Sequence, residues 1–288
     1  GNFPGFYNLP KPGEKTSWEA FTHQPRIGQN YIGIRNRLTI LSEAYSYLPF
    51  KRRVEVTERF VEEIFKFCAA NGDQIAQLTK SADDETVRKM SGNGAIDFGV
   101  AFKMVALPKP VEILIGAVEK VKNPRNGKDM TAMIEDKITP MKMEDFGKFT
   151  STRTVKAPRA YLFKPDSKIV EKLLQHGITV EELTSELNIE VDSFTIATFE
   201  KSKRAFQGHL EAKITGAYKQ EKINFPVGTI LVRTAQPLGR LVFYLLEPES
   251  DDGLVNWNYF DSYLENGKTF PVHKLMKQVN IASRLIIK

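Results

Sequence analysis

The chain has 288 residues, with 41 Lys and Arg against 35 Asp and Glu, for a formal charge of +6. Acids are interleaved with the bases along most of it, which argues against a nucleic-acid binder, whose positive charge gathers on one face. No apolar run approaches the ~20 residues that a helix needs to span a bilayer, and the single cysteine cannot form an internal disulfide.

Residues 1–30 are rich in Gly, Pro and aromatics and read as irregular structure with packing area of its own. The stretch from Asn30 to Ser46 follows, and its centre, 37–43, predicts a short, mostly apolar strand. That strand would deliver one carboxylate, Glu43, to the point where strand becomes loop, where open α/β sheets present reactive groups. Arg35 and Arg37 alternate along one face of it; their guanidinium groups could clamp a carboxylate bidentately or pair with acids of the fold. Tyr31 is read either as a phenol over a cleft or as a core aromatic, and Glu43 either as reactive or as a partner of Arg35 or Arg53.

A long helix is predicted from Phe50, with Val54, Val61, Ile64, Phe65 and Cys68 as its apolar stripe. Cys68 then reads as a buried, inert thiol. Asn71-Gly72 ends this helix, and Asp73 is placed to cap a second one running toward Met90. Past Ser91-Gly92-Asn93-Gly94 the pattern turns to β, with strands at 100–107, 111–121, 130–139 and 149–154. A hairpin turn is expected at Asn123-Pro124-Arg125-Asn126-Gly127.

From Ala157 a further unit begins, with a strand at 161–163 and a helix at 167–175 stopped by His176-Gly177. Strands at 193–200, 209–217 and 229–232 precede a helix at 238–246 opened by Pro237. The run from Glu247 to Gly253 reads as a solvated acidic turn, since it lacks the spacing of a calcium loop. His176 is placed as a cation complementing a helix C-terminus. His209 and Glu211 alternate on a strand without a third metal ligand, and His273 reads as structural. The fold class is α+β: an α/β layer over 1–90, a β-rich linking region over 91–154, and an α+β region over 155–288.

The run Gly33-Ile34-Arg35-Asn36-Arg37-Leu38-Thr39-Ile40-Leu41-Ser42-Glu43-Ala44-Tyr45-Ser46-Tyr47, followed by Phe50 and Arg53-Val54, resembles the last part of the zinc carboxypeptidase (carboxypeptidase A-like) catalytic domain. The likeness is close over residues 1–75 and looser beyond, and is nearest to large bacterial members that append β-rich domains. Gln236-Pro237-Leu238-Gly239-Arg240 and Asn256-Trp257-Asn258-Tyr259-Phe260 look like that appended region. The resemblance implies that 1–90 is the remnant of an α/β carboxypeptidase sheet with its closing helix, and that 155–288 is an accessory domain. It makes Glu43 the catalytic glutamate, a general base toward water, and Tyr31, Arg35 and Arg37 candidates for contact with a peptide or protein substrate. It also implies export, to the periplasm or the extracellular space; the chain starts Gly1-Asn2-Phe3, so a signal peptide or an upstream domain is expected before it.

In that family zinc is held by a His-x-x-Glu pair and a later His, all upstream of the glutamate. None of His23, His176, His209 and His273 is followed by Glu at the third position, so no zinc ligand is carried over. Asn36-Arg37 has the letters of the family's substrate grip outside the family's order, and that role is not transferred either. Zinc is therefore expected in the intact parent and not in this chain alone, with a missing upstream catalytic segment as the partner that supplies it. The alternative is a non-catalytic binding or interaction module derived from such a peptidase.

Overall fold

A computed structural model describes residues 17–44, 48–92 and 96–287 as a mixed α+β chain. The first half contains β1 (Ser17–Glu19), α1 (Gly28–Ile34), α2 (Phe50–Ala70), α3 (Gly72–Ser91), β2 (Asp97–Val105), β3 (Val111–Lys122), β4 (Asp129–Phe146) and β5 (Lys148–Lys156). The second contains β6 (Ala160–Phe163), α4 (Ser167–Gln175), β7 (Glu181–Leu183), β8 (Leu187–Lys201), β9 (Ala212–Phe225), β10 (Ile230–Arg233), α5 (Gly239–Leu246), β11 (Val272–Leu275) and β12 (Ser283–Leu285). The chain divides into two compact units. One is drawn from Thr39–Ile75, Lys103–Thr150 and the described residues through His23; the other from Gln24–Leu38, the described residues of Ala76–Phe102, and 151–287.

In the first unit, β3 and β4 form the hairpin that the Asn123–Gly127 turn signal predicts. Gly127 takes a φ of +68° and donates its amide to the Asn123 carbonyl at 2.8 Å. The short β1 adds in parallel along β4, Ser17 opposite Glu144. α2 forms where its periodicity predicts, but none of its residues is buried. Phe50 is 74% and Phe65 69% exposed, and Cys68 is exposed, not the buried thiol that the apolar stripe suggested. The stripe has nothing over it among the described residues.

The strand expected at 37–43 is absent. Tyr31 and Ile34 instead lie on one side of α1, three residues apart, and pack against a buried core. Asn36 then turns the chain with a φ of +60°, a conformation to which Asn is suited, and 37–44 runs without regular structure. The alternation of Leu38 and Ile40 was the strand signal, yet a strand needs a ladder partner, and no strand pairs with these residues among those described.

The second unit is a seven-stranded sheet in the order β12-β7-β10-β6-β11-β8-β9, with antiparallel neighbours throughout. Central β6 is buried along its whole length, because both faces of the sheet are covered there. Tyr161 and Phe163 point to the side that holds Ile169 and Leu173 of α4 and Leu241 and Leu245 of α5. Ala160 and Leu162 point to the other, with Leu183, Phe225 and Leu275. α4 spans the residues its periodicity predicts; Asp166 caps it by accepting from the Lys168 and Ile169 amides, and Gly177, at φ +76°, ends it. The β8–β9 hairpin is longer than its sequence signal, pairing Leu187 with Phe225 at one end and Lys201 with Ala212 at the other.

The acidic run after α5 is not a solvated turn. Glu247 is 1% exposed and accepts from Tyr161 at 2.5 Å, from Tyr218 at 2.8 Å and from the Lys274 ammonium at 2.8 Å. Lys274 also donates to the Lys156 carbonyl at 2.6 Å and lies 4.5 Å from the centre of the Tyr218 ring. Burial pushes both tyrosine hydroxyls well above the ordinary phenol range; it pushes the Lys274 ammonium down, against the pull of Glu247. Each remaining acid of the run has a partner too: Glu249 pairs with Arg153, Asp251 accepts from Tyr244, and Asp252 binds Arg26. Sequence spacing cannot show this, since the partners lie far off along the chain.

Two stability outcomes follow from these contacts. A Cβ on Gly216 would fall on the Thr195 carbonyl oxygen and the Phe194 ring, whereas one on Gly28 would meet open space. Gly216→Ala is expected to lower the urea midpoint, by about 1–3 kcal/mol in stability, while Gly28→Ala is neutral or mildly stabilising. Glu247→Ala strands a buried ammonium and two buried phenols and is expected to cost about 3–5 kcal/mol, most of which the double variant Glu247→Gln/Lys274→Met regains, since its amide oxygen still accepts from Tyr161 and Tyr218. A double variant as unstable as Glu247→Ala would show that the loss was packing and not charge.

Candidate functional site

With no strand at 37–43 and the chain turned at Asn36, Arg35 and Arg37 go to different partners. Arg35 donates from Nη1 to the Tyr31 hydroxyl at 3.1 Å and to the His176 carbonyl at 2.5 Å. Arg37 forms a bidentate pair with Asp83 of α3, both bonds 2.9 Å, and the Asn36 amide reaches the same carboxylate at 3.1 Å. Asp83 is held below the usual carboxylate range by these donors, Arg37 first. To grip a substrate, either arginine would have to give up these partners.

Tyr31 meets His176 at the end of α4, its phenol oxygen 2.9 Å from Nδ1. Since the phenol oxygen already accepts from Arg35, its own hydrogen is free to donate to Nδ1, which makes the imidazole the neutral Nε2–H tautomer. Burial lowers the His176 pKa, and the nearby Lys172 and Arg35 charges lower it further. His176 is therefore a neutral acceptor at neutral pH and not the cation that its place at a helix terminus suggested.

Beside this pair lies a cavity of about 220 Å³ within the second unit. Leu241 and Leu245 of α5, Leu254, Trp257 and Tyr259 give it apolar walls, and Tyr31, His176, Lys172 and Arg26 bring polar groups to it. Arg26 is held on every side. It donates from its backbone amide and Nε to the Asp252 carboxylate at 2.7 Å each, and from Nη2 to Asn256 at 2.9 Å. Its Nη1 pairs with Glu211 at 2.6 Å, and its guanidinium lies 4.6 Å from the Phe206 ring centre and 5.2 Å from that of Trp257. Sequence reading missed this cluster entirely; its members lie 180 residues or more from Arg26 and carry no motif.

His209, expected on a strand beside Glu211, precedes β9 and stacks on Trp257 at 4.3 Å while its Nδ1 meets Asn258 at 3.0 Å. His273 bonds Ser193 through Nδ1 at 2.7 Å, and His23 packs on the Phe149 ring at 5.3 Å. Among the described residues no group of three His, Cys, Asp or Glu side chains can hold a metal ion, so these residues do not fit zinc. Glu43 is exposed on the irregular segment after Arg37, and no hydrogen-bond or ion-pair partner meets it among the described residues. Arg53, one of the partners weighed for it, lies against Phe50, 5.6 Å from the ring centre.

A pH dependence follows from His176. Its pKa is lower in the folded chain than the ordinary 6.5, so the unfolded chain binds more protons in the interval between. Stability from this group is complete above that interval and is lost as pH falls through it; His273 shifts the same way, also through burial. Between about pH 7.5 and about pH 5.5, the melting temperature of His176→Gln is expected to fall less than that of the unaltered chain. An unchanged slope would remove His176 from the groups that titrate on unfolding.

No family model matches the chain, and no solved structure matches it. Three curated fungal proteins do. Carboxypeptidase 2 of Trichophyton equinum is 26% identical over 135 residues, 46% of this chain and 25% of that protein. Carboxypeptidase 2 of Trichophyton tonsurans is 25% identical over 135 residues, with the same shares, and that of Trichophyton rubrum 26% over 119 residues, 41% of this chain and 22% of the relative. The matched stretch spans about a quarter of the length of these relatives. The likeness supports a carboxypeptidase-like relationship.

Proposed function

We propose that this chain is the C-terminal part of a metallocarboxypeptidase-like hydrolase, the catalytic domain's last segment followed by an accessory region, and that Glu43 is its general base. The observation that carries the reading is the likeness to carboxypeptidase 2 of three fungi. Two features of the chain support it. Glu43 presents a carboxylate at the surface with no structural partner among the described residues. Ile40, Leu41 and the stripe of α2 expose apolar surface of the kind that is buried against a neighbour. An upstream segment of the parent would supply that neighbour and, with it, the zinc ligands that the described residues do not provide.

In this role Glu43 accepts the proton of the water that attacks the peptide carbonyl and returns it to the departing amine. Substrate would be the C-terminal end of a peptide or protein. Tyr31 and Arg35 would act by seating α1, with Arg37 tied to Asp83. A second reading, a binding or interaction module without catalysis, draws on the share of the chain outside the match: the longest likeness covers 46% of it. The second unit has its own buried core and cavity.

The test is the parent protein with its upstream segment in place, assayed for release of the C-terminal residue of a blocked dipeptide. Glu43→Gln is expected to lower kcat by about 10²–10⁴-fold while leaving KM within a few-fold. Full activity in Glu43→Gln would refute the assignment, and an inactive parent would favour the binding module. The 288-residue chain alone is expected to show no turnover; turnover that a chelator abolishes would show that it carries a metal site of its own.

A further inference from the structure

We infer that the cavity between α1, α4 and α5 is a binding site for a small monocarboxylate with a compact apolar body, its carboxylate met by Lys172 and its body by Leu241, Leu245 and Tyr259. The inference stands apart from the peptidase reading and concerns the second unit alone.

Size and lining come first. An apolar cavity of ~150 Å³ accepts benzene, so one of about 220 Å³ holds a single ring with a short side arm. Its walls are leucines and aromatics, with few polar groups among them, which is the composition of small-molecule sites.

Charge then selects the ligand. Three ionic side chains line the cavity, and two of them are bound to each other: Arg26 pairs with Asp252, and with Glu211 besides. Asp252 is further occupied by the Trp257 indole N–H at 2.9 Å. The third is a cation with no counter-charge among the described residues. Lys172 is half-buried, with its ammonium 5.6 Å from the centre of the Tyr259 ring and no carboxylate in ion-pair range among the described residues. A half-buried cation facing an apolar hollow is stabilised by an anion that also fills the hollow, and one carboxylate on one ring meets both needs.

Isothermal titration of the 288-residue chain with 3-phenylpropionate, and with the uncharged 3-phenylpropan-1-ol, tests this directly. The acid is expected to bind with a Kd on the order of 1 mM or tighter, and the alcohol about tenfold more weakly. Lys172→Met is expected to weaken the acid about tenfold and leave the alcohol unchanged. Leu245→Trp, which fills the cavity, is expected to abolish both; circular dichroism shows whether that variant folds, and if it does not, Lys172→Met alone decides. Equal affinity for acid and alcohol, an acid affinity unchanged in Lys172→Met, or no saturable heat from the unaltered chain would each overturn the inference.

Discussion

A carboxylate buried in the second unit, that of Glu247, ties α5 to three strands of the sheet. It sits at the end of α5 and takes hydrogen bonds from β6 through Tyr161, from β9 through Tyr218 and from β11 through Lys274. The ion pair is not a net source of stability, because desolvating both charges costs about what their attraction returns. Its effect is selection. Shifting any of these strands by one residue would turn its donor to the opposite face and leave a charge in the core without a partner. The sheet can therefore be completed in one register only, and α5 in one position on it.

The same loop extends that order to the start of the chain. Five residues beyond Glu247, Asp252 takes the backbone amide and side chain of Arg26, and Phe206 and Trp257 flank the guanidinium. This anchor lies two residues before α1, a helix of seven residues without a side-chain cap. So short a helix has little stability of its own; Arg26 at one end and the Arg35–Tyr31–His176 contacts at the other define it. The cavity is a result of the same arrangement, since α1 is pinned at its ends and leaves a hollow against α4 and α5. Polar contacts that fix the fold also set the charges around the hollow.

Local structure is legible in the sequence wherever its determinant is itself local. The β3–β4 turn needs a left-handed residue at Gly127, and α4 needs a stop at Gly177; both are legible because the backbone requirement and the residue meeting it coincide. The residues around Glu43 show the limit. Alternating apolar residues at 38 and 40 describe a strand only if another strand lies beside them, and pairing is a property of the neighbour. The acidic run fails for a related reason: four carboxylates within six residues look solvated until Lys274, Arg153, Tyr244 and Arg26 are brought to them by the fold. Cys68 was misplaced because helical periodicity identifies the apolar face of α2 and not what covers it.

Glu43 joins these structural observations to the functional proposal. A general base works only when its carboxylate is held within hydrogen-bond reach of the water it deprotonates, by supports that are themselves rigid. Among the described residues Glu43 has no such support: its segment has no ladder, and its carboxylate no partner. What the segment does have is apolar surface, with Leu38, Ile40 and Leu41 all exposed. A neighbour that covered those side chains would also hold the segment that carries Glu43, at an energetic gain of about 25 cal/mol for each Å² of apolar surface covered. On the proposed reading, order at the base and burial of the apolar surface would come from the same neighbour, so that catalysis would be coupled to assembly with the proposed upstream segment.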